Sequence, residues 1–181
     1  MIEDRKRWNE RYISQKFPEE PSEIVKRFYK LASPGKALDI ASGTGRNAVF
    51  LQEKGFEVDA VDISDVALKI LKEKNSSINT INMDLDYADL PKDTYQLVLN
   101  INFLNRKLIP KIKDSLKKGG VIIFETFMLN SNAKTKDFYL RENELIQLFL
   151  DFHIIYYQEF NTKKHDGSDA KKASLVAIKK C

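Results

Sequence analysis

The sequence predicts an α/β fold: a three-layer sandwich in which helices cover both faces of a seven-stranded, mostly parallel sheet whose last strand is antiparallel. Two observations predict it. From residue 37 onward, short apolar strand patterns alternate with amphipathic helix patterns, an order that gives parallel strands joined by right-handed crossovers. The linker over residues 161–172 is too short and polar to hold a crossover helix, so the last two strands are expected to pair antiparallel.

Local patterns place the elements in order. Residues 3–16 read as a helix with Trp8 and Tyr12 on one face, and Ser22 is expected to cap a second helix that ends before Ser33-Pro34-Gly35. The strands are expected at 37–40, 57–61, 78–83, 95–100, 121–127, 154–160 and 174–178. The later helices are expected at 46–54, 64–74, 105–118 and 142–150, with Gly119-Gly120 stopping the third of these.

Length and composition indicate one domain. The 181 residues, 43% hydrophobic and 31% charged, suffice for one core. We expect residues 1–33 to form a helical cap or lid and residues 34–181 to form the core. No apolar run reaches membrane-helix length and the charged N-terminus lacks a signal-peptide core, so a cytoplasmic protein without a membrane partner is expected. The only cysteine is Cys181, and His153 and His165 are isolated, so neither a disulfide nor a metal site is expected.

The net charge of +4 is unevenly distributed. Basic residues dominate one predicted helix and the C-terminal segment: Arg106, Lys107, Lys111, Lys113, Lys117, Lys118, Lys163, Lys164, Lys171, Lys172, Lys179 and Lys180. Such a surface permits an anionic partner, nucleic acid included. A solvated lysine-rich surface explains the same pattern more simply.

The stretch LDIASGTGRNAVFL, residues 38–51, places two glycines directly between a predicted strand and a predicted helix. Glycine loses more conformational entropy on folding than any other residue, so its use here indicates that the backbone must be bare. In an open parallel sheet this position lies at the carboxyl ends of the strands, where ligands bind. The following helix adds N–H groups without intrahelical partners. The pattern predicts a ligand-binding loop at Gly43 and Gly45.

Three acids accompany the ends of three successive strands. Asp39 precedes the loop, where a carboxylate suits an ammonium group and repels a pyrophosphate. Asp62 ends the second strand, where an acid can accept hydrogen bonds from ribose hydroxyls. Asp84 follows the third strand, where it can accept a hydrogen bond from an adenine amine. Together with the loop, these acids would fit a ligand made of an adenosine with a cationic amino-acid tail. S-adenosylmethionine is such a molecule.

The region LDIASGTGRNAVFLQEKGFEVDAVDIS resembles the cofactor-binding region of the class I S-adenosylmethionine-dependent methyltransferases. Within them, GTGRNAVFLQEKGFEVDAVD is similar to the small tellurite-resistance-type enzymes. The likeness extends to WNERY near the start, FLNRKLIPKIKDSLKKGGVIIFETF in the middle, and FYLRENELIQLF and KASLVAIKK toward the end. The resemblance implies a Rossmann-like fold, S-adenosylmethionine as cofactor, and methyl transfer as the activity.

The resemblance also implies roles for individual residues. The loop and Asp39 would hold the methionine end of the cofactor and Asp62 its ribose, while the segments after the second, third and fourth strands would meet the adenine and the amino group. The residues expected to contact the cofactor are Asp39, Ala41, Gly43, Gly45, Arg46, Asp62, Ile63, Asp84, Leu85 and Asn100. Ala41 stands where the family usually has glycine. Alanine is acceptable there only if the position has an ordinary negative φ.

The acceptor side is expected to be built from the N-terminal helix, the segment after the fourth strand and the loop after the fifth. The residues expected there are Trp8, Tyr12, Phe103, Arg106 and Glu125. Because the sulfonium is already an activated leaving group, the protein chiefly aligns the acceptor and excludes water, and no catalytic base is assigned. A small-molecule acceptor, such as a thiol or a chalcogen oxyanion, is expected.

Other interpretations stay open at this point. Gly43-x-Gly45-x-x-Ala48 also satisfies a dinucleotide fingerprint with Asp62 as the ribose acid, although Asp39 would face the pyrophosphate unfavourably and little chain is left for a substrate domain. An RNA methyltransferase is a second alternative, although residues 100–103, NINF, lack both prolines of the N-P-P-[YF] motif. A protein that binds S-adenosylmethionine without turnover is a third.

Overall fold

The structure is a computed structural model that describes residues 2–129 and 137–181. Seven strands form one sheet in the order β3-β2-β1-β4-β5-β7-β6. Every neighbouring pair is parallel except the two that involve β7, which runs antiparallel to both β5 and β6. The expected mostly parallel sheet with an antiparallel last strand is confirmed. The strands are β1 Lys36–Ile40, β2 Glu57–Asp62, β3 Asn79–Asn82, β4 Tyr95–Ile101, β5 Leu116–Phe127, β6 His153–Lys163 and β7 Asp169–Ile178.

Helices flank the sheet. They are α1 Ile2–Ser14, α2 Glu23–Phe28, α3 Arg46–Glu53, α4 Asp65–Lys74, α5 Ile109–Ser115 and α6 Glu144–Leu148. Short 3-10 turns follow α2 at Tyr29–Leu31 and precede α5 at Arg106–Leu108. Ser64 caps α4 as expected, since its Oγ accepts the Ala67 N–H at 3.0 Å. In the described part of the chain, no helix is both long and apolar enough to cross a membrane.

The core consists of two apolar layers, one on each face of the sheet. Alternate residues of each strand point to opposite faces, so Leu97 and Leu99 pack under α2, α3 and α4 while Val98 packs under α5 and α6. Asp39 and Glu125 lie on the face of the sheet that α2, α3 and α4 cover. Each follows by two residues a buried residue of that layer, Ala37 on β1 and Ile123 on β5, and so points to the same face. This face therefore carries the polar side chains at the edge of the sheet.

The helix after β4 is shorter than the sequence predicts. It ends at Ser115 rather than near Lys118, and the Gly119-Gly120 pair lies inside β5 instead of stopping the helix. A β-carbon on Gly120 would stand 2.8 Å from the Lys117 carbonyl oxygen, and Gly119 has φ +75°. The two glycines thus permit an irregular start of β5 rather than a helix end. The helix expected at 142–150 also shortens, because Asn143 has φ 58° at its start.

Candidate active site

The carboxyl ends of β1, β2, β3 and β4 lie side by side along one edge of the sheet. Ile40 pairs with Val61 on one side and with Asn100 on the other, and Asp62 pairs with Asn82. Asp84 follows β3 by two residues. The acids that the sequence singles out therefore share one edge, as parallel strand order requires.

The glycine loop joins β1 to α3 along this edge. Gly43 and Gly45 have φ values of 55° and 79°, in the left-handed region where glycine is favoured. A β-carbon on Gly45 would stand 2.2 Å from Cδ1 of Leu71, so the loop packs directly on α4. Asp62 fixes the loop from the next strand: its carboxylate accepts the Gly43 N–H and the Ser64 N–H, both at 2.8 Å. The loop is thus held in place before any ligand is bound.

Ala41 does not have the negative φ that its side chain requires. Its φ is +53°, so the expectation that alanine is tolerated here through an ordinary backbone conformation is wrong. The chain must turn sharply out of β1 at this position, because the Ser42 N–H donates to the Val61 carbonyl of the neighbouring strand at 3.0 Å. The side chain is half-buried against the core. A left-handed alanine costs about 1–2 kcal/mol relative to its preferred region.

Asp39 is buried, with 2% of its surface exposed, and its Oδ2 has no hydrogen-bond partner in the described part of the chain. Burial raises the pKa of Asp39 to about 7, Arg46 opposes this rise, and the negative charge of Asp62 adds to it. The hydroxyl of Ser42, in the adjacent loop, is likewise buried without a partner among the described residues. Buried polar atoms are normally satisfied, so these atoms fit a ligand that brings an ammonium and further hydrogen-bonding groups. That is the chemistry of the methionine end of S-adenosylmethionine.

Helix α1 covers the loop with an aromatic side chain. A β-carbon on Gly43 would stand 2.5 Å from the Tyr12 hydroxyl oxygen, so this hydroxyl lies against the bare backbone. Burial raises the pKa of Tyr12, and the nearby charge of Asp62 raises it further. The Tyr12 ring lies 5.9 Å from Trp8 and 4.5 Å from Phe17, between ring centroids. Trp8 and Tyr12 therefore belong to one aromatic cluster above the site.

Two hydrogen bonds anchor α1 in this position. The Ser64 hydroxyl donates to Oδ1 of Asn9 at 2.6 Å, and Nδ2 of Asn9 donates to Asp65 at 2.8 Å. Arg5 adds an ion pair to the same Asp65 carboxylate at 3.0 Å. Helix α1 is thereby tied to the first turn of α4, beside the loop.

The remaining predicted cofactor contacts lie along the same edge. Ile63 is half-buried, and its carbonyl and that of Asp62 accept hydrogen bonds from Asn82 at 2.9 and 3.1 Å. Leu85 is buried in the core. Asn100 is also buried, and its side-chain amide donates to the Phe103 carbonyl at 2.6 Å. Asn100 thus shapes the turn after β4.

Arg106 is held within the fold. Its guanidinium pairs with both carboxylate oxygens of Glu144 and donates to the carbonyls of Asp137 and Tyr139. These bonds fasten the segment after β4 to the segment before α6, and they use most of its donors. This arrangement favours a structural clamp over the acceptor contact that the sequence suggested. The loop expected after β5 falls on residues 130–136, outside the described residues.

Glu125 lies on the α2 side of β5. Its two oxygens contact Lys172 at 3.0 Å and Ser174 at 2.7 Å, whereas the neighbouring Thr126 is buried on the opposite face. Arg46 interacts electrostatically with both Asp39 and Glu125. Glu125 also lines a cavity of about 200 Å³ beside α2, together with Ile24, Arg27, Tyr156, Gln158 and Ser174.

Sequence reasoning missed several residues of this region. Asn9 stands inside the WNERY segment, but nothing in that segment identified it as the anchor of α1. Ser42 could have been found from its place between Ala41 and Gly43. Lys172 and Ser174 could not, because only the antiparallel pairing of β7 with β5 brings them to Glu125. Among residues 2–129 and 137–181, no group of three or more histidine, cysteine, aspartate or glutamate side chains is placed to hold a metal ion.

The strand order and the glycine loop are those of the class I S-adenosylmethionine-dependent methyltransferase fold, and the buried Asp39, with one oxygen unpartnered among the described residues, lies at the base of the loop. A family model described as "Tellurite resistance protein TehB" matches residues 6–175. The chain belongs to this TehB family, in agreement with the resemblance seen in the sequence.

Individual relatives agree with this placement. The chain is 27% identical over 171 residues to the probable S-adenosyl-L-methionine-dependent methyltransferase TehB of Haemophilus influenzae, covering 83% of this chain and 59% of that protein. It is 30% identical over 149 residues to an uncharacterized methyltransferase of Staphylococcus carnosus, covering 75% and 69%. The crystal structure of TehB from Haemophilus influenzae superposes with a TM-score of 0.80 at 24% identity, covering 97% and 67%. The chain thus spans little more than half the length of the Haemophilus protein.

Proposed function

We propose that the chain binds S-adenosylmethionine in the crevice between Asp39 and Asp62 and transfers its methyl group to a small molecule. One observation carries the proposal: Asp39 Oδ2 is buried without a partner among the described residues, at the base of the glycine loop. Burying an ionised carboxylate costs several kcal/mol, which Arg46 offsets in part and a ligand cation at the free oxygen would offset further. A dinucleotide would bring a pyrophosphate to this carboxylate, whereas S-adenosylmethionine brings an ammonium.

Each residue of the crevice then has a role toward the cofactor. Asp39 would accept a hydrogen bond from the amino group, and the loop from Ala41 to Gly45 would border the methionine chain. Asp62 would accept the ribose hydroxyls with lone pairs that the Gly43 and Ser64 N–H groups leave free. Ile63, Asp84 and the Leu85 backbone would surround the adenine.

The cofactor, when bound, supplies a methyl group on a sulfonium sulfur that is already a good leaving group. The chain's own part is therefore to align the acceptor and exclude water rather than to activate the leaving group. Residues 1–33 would act as the lid: Tyr12 and its aromatic neighbours cover the loop, and Asn9 holds α1 in that position. No general base is assigned, because an anionic or lone-pair acceptor needs none.

Charge pairing supports a small-molecule acceptor over a nucleic acid. Six of the twelve basic residues that permitted a nucleic-acid partner form ion pairs within the chain, which reduces the net charge available to phosphates. The pairs are Arg106 with Glu144, Lys113 with Asp151, Lys163 with Asp169, Lys171 with Glu159, Lys172 with Glu125, and Lys179 with Asp93. The family description, tellurite resistance, supports a chalcogen oxyanion or a thiol among the acceptors to be tested.

Two measurements test the proposal. Calorimetry should show S-adenosylmethionine and S-adenosylhomocysteine binding, with NAD binding at least a hundredfold weaker. A radiolabelled methyl-transfer screen should then place label in the small-molecule fraction of a cell extract, rather than in its RNA or protein. If the label instead enters RNA, and its amount falls steeply as the salt concentration rises, the acceptor is a nucleic acid and not a small molecule. Cofactor binding with no labelled product in any fraction would indicate a sensor without turnover.

A further inference from the structure

Helix α1 lies outside both apolar layers of the core. Its described apolar side chains are Trp8, Tyr12 and Ile13, and none of these three belongs to either layer. Ile13 is 74% exposed, and the helix lies against α4 and the glycine loop. Helix α2 differs, because Ile24 and Val25 are buried in the layer on its side of the sheet. Of the segment proposed as the lid, α2 is therefore part of the core and α1 is not.

A linker over residues 15–22, which form neither helix nor strand, separates the two helices. Its second half is held to α4 and α3: Glu19 pairs with Lys74 at 2.6 Å, and the Glu20 carbonyl accepts a hydrogen bond from Arg46 at 3.0 Å. In the part of the chain that the structure describes, the hydrogen bonds and ring contacts of the first half are made with α1. Hinges are loop residues that absorb backbone rotation. The first half of the linker is placed to be one.

The attachment of α1 to α4 is polar and centres on Asn9. The Ser64 hydroxyl donates to Asn9 at 2.6 Å, while the Ser64 N–H donates to Asp62 at 2.8 Å. One residue thus connects α1 to the carboxylate proposed to hold the cofactor ribose. Arg5 and Asn9 both bond to Asp65, whose side chain is half-exposed. Hydrogen bonds of this kind exchange for bonds to water at little net cost, so α1 can detach without disturbing the core.

In the attached position α1 covers the crevice. The Tyr12 hydroxyl lies against the Gly43 backbone, and the ring of Phe17 packs on that of Tyr12 with 4.5 Å between their centroids. The charges of Asp62 and Asp39 both raise the pKa of Tyr12, because its hydroxyl stands near each of them. A ligand that reaches both acids therefore passes beneath Tyr12.

From these contacts we infer that α1 is a movable lid, and that its release from α4 controls how fast the cofactor enters and leaves the crevice. Asn9 is a positioning residue: it holds α1, and α1 holds Tyr12 over the glycine loop. The lid moves about the first half of the linker while α2 stays in the core. This inference rests on the proposed function, because it concerns the exchange of the cofactor proposed for the same site.

A lid of this kind has a kinetic signature. Weaker attachment of α1 raises the fraction of molecules in which the crevice is open, so association and dissociation of the cofactor become faster together. The dissociation constant changes little, because the same bonds hold α1 with and without the cofactor. A residue that merely contacts the bound cofactor would instead change dissociation and affinity in parallel.

The test measures cofactor exchange on the full chain. Radiolabelled S-adenosylmethionine is bound and then displaced by excess unlabelled cofactor, which gives the dissociation rate constant. Calorimetry gives the dissociation constant, and the ratio of the two gives the association rate constant. Asn9→Ala should raise both rate constants at least about fivefold and leave the dissociation constant within about twofold. The midpoint of urea unfolding should not change, since α1 lies outside the core.

Two arginines of α1 provide a charge-matched control. Arg5 pairs with Asp65 on α4, whereas Arg7 pairs with Asp4 inside α1. Arg5→Gln should raise both rate constants about twofold, and Arg7→Gln should change neither. Because the Arg5 ion pair is half-exposed, salt screens it. Higher ionic strength should therefore speed exchange in the wild type but not in Arg5→Gln.

Several outcomes would overturn the inference. These are unchanged rate constants in Asn9→Ala, faster dissociation matched by an equal loss of affinity in that variant, or equal effects of Arg5→Gln and Arg7→Gln. Failure of the wild-type chain to bind S-adenosylmethionine would instead reject the proposed function, so the two failures are distinguishable.

Discussion

The Tyr12 hydroxyl lies directly against the backbone of Gly43, at a distance that leaves no room for a side chain: a β-carbon there would stand 2.5 Å from the Tyr12 oxygen. Gly43 also has φ +55°, which L side chains rarely adopt. Gly43→Ala should therefore lower the free energy of unfolding by about 1–2 kcal/mol through backbone strain. It should also weaken S-adenosylhomocysteine binding at least tenfold, because the new methyl group must displace Tyr12 from its position over the loop. Denaturant unfolding and calorimetry measure the two effects.

Gly55→Ala is the matched control for this substitution. Gly55 has φ +92°, but nothing lies within 4 Å of a β-carbon built there. It should therefore show a comparable strain cost and leave the dissociation constant for S-adenosylhomocysteine within twofold. Equal binding losses in the two variants would show that the space beside Tyr12 is not part of the cofactor site.

The raised pKa of Asp39 makes stability depend on pH. Its pKa rises from 3.8 in the unfolded chain to about 7 in the fold, so between these values the folded state keeps a proton that the unfolded state has lost. The free energy of unfolding therefore falls as pH rises through this window, by up to about 4 kcal/mol in total. Asp39→Asn should remove this dependence. The variant should be more stable than the wild type at pH 8 and lose that advantage at pH 5, as thermal unfolding across the pH range measures.

If Asp39 holds the cofactor amino group, as proposed, the same variant should lose cofactor binding while it gains stability. Asp39→Asn should weaken S-adenosylmethionine binding at least tenfold at pH 8. If the variant binds the cofactor as tightly as the wild type, Asp39 does not contact the amino group and the central assignment fails.

Cofactor binding should also release protons near neutral pH. An ammonium placed beside Asp39 favours its carboxylate form, so the pKa of Asp39 should fall when the cofactor binds. Near pH 7 a substantial fraction of Asp39 is protonated without ligand, and that fraction must ionise on binding. Calorimetry in buffers of different ionisation enthalpy should detect release of part of a proton at pH 7. At pH 9 this release should be replaced by proton uptake, because the cofactor amino group is then largely neutral and must bind as an ammonium. Affinity should correspondingly fall as pH decreases below 7.

The sequence predicts the sheet and its edge well because both rest on local patterns. Alternating strands and helices determine the parallel order, and Asp62 can be placed on the edge from its position at a strand end. The sequence cannot predict the φ of Ala41, since that angle follows from the hydrogen bond between Ser42 and Val61 on another strand. Nor can it predict that Arg106 meets Glu144, 38 residues further along the chain. Contacts of that kind depend on tertiary packing.

A comparison of Asp62 with Asp59 tests whether Asp62 binds the cofactor ribose, as proposed. Both are buried acids of β2, but Asp59 is bonded to Asn79 and to the Tyr95 hydroxyl, away from the loop. Asp62→Ala should weaken S-adenosylhomocysteine binding by about 1–3 kcal/mol, through loss of charge-assisted hydrogen bonds. Asp59→Asn should lower stability and leave binding within twofold. An unchanged dissociation constant in folded Asp62→Ala would count against the ribose assignment.

Ala41→Gly should make the protein more stable, although it deletes a half-buried methyl group. The left-handed φ of +53° costs alanine about 1–2 kcal/mol and costs glycine nothing. Against this stands the greater freedom of glycine in the unfolded chain, worth about 0.4–1 kcal/mol. The lost contacts of the half-buried methyl group cost about 0.4 kcal/mol more. The net expectation is a gain of about 0.5 kcal/mol in the free energy of unfolding, measured by denaturant titration. The same substitution at Ala67, which is helical and fully buried, should instead lower stability by about 2 kcal/mol. A loss at both positions would show that Ala41 is not strained.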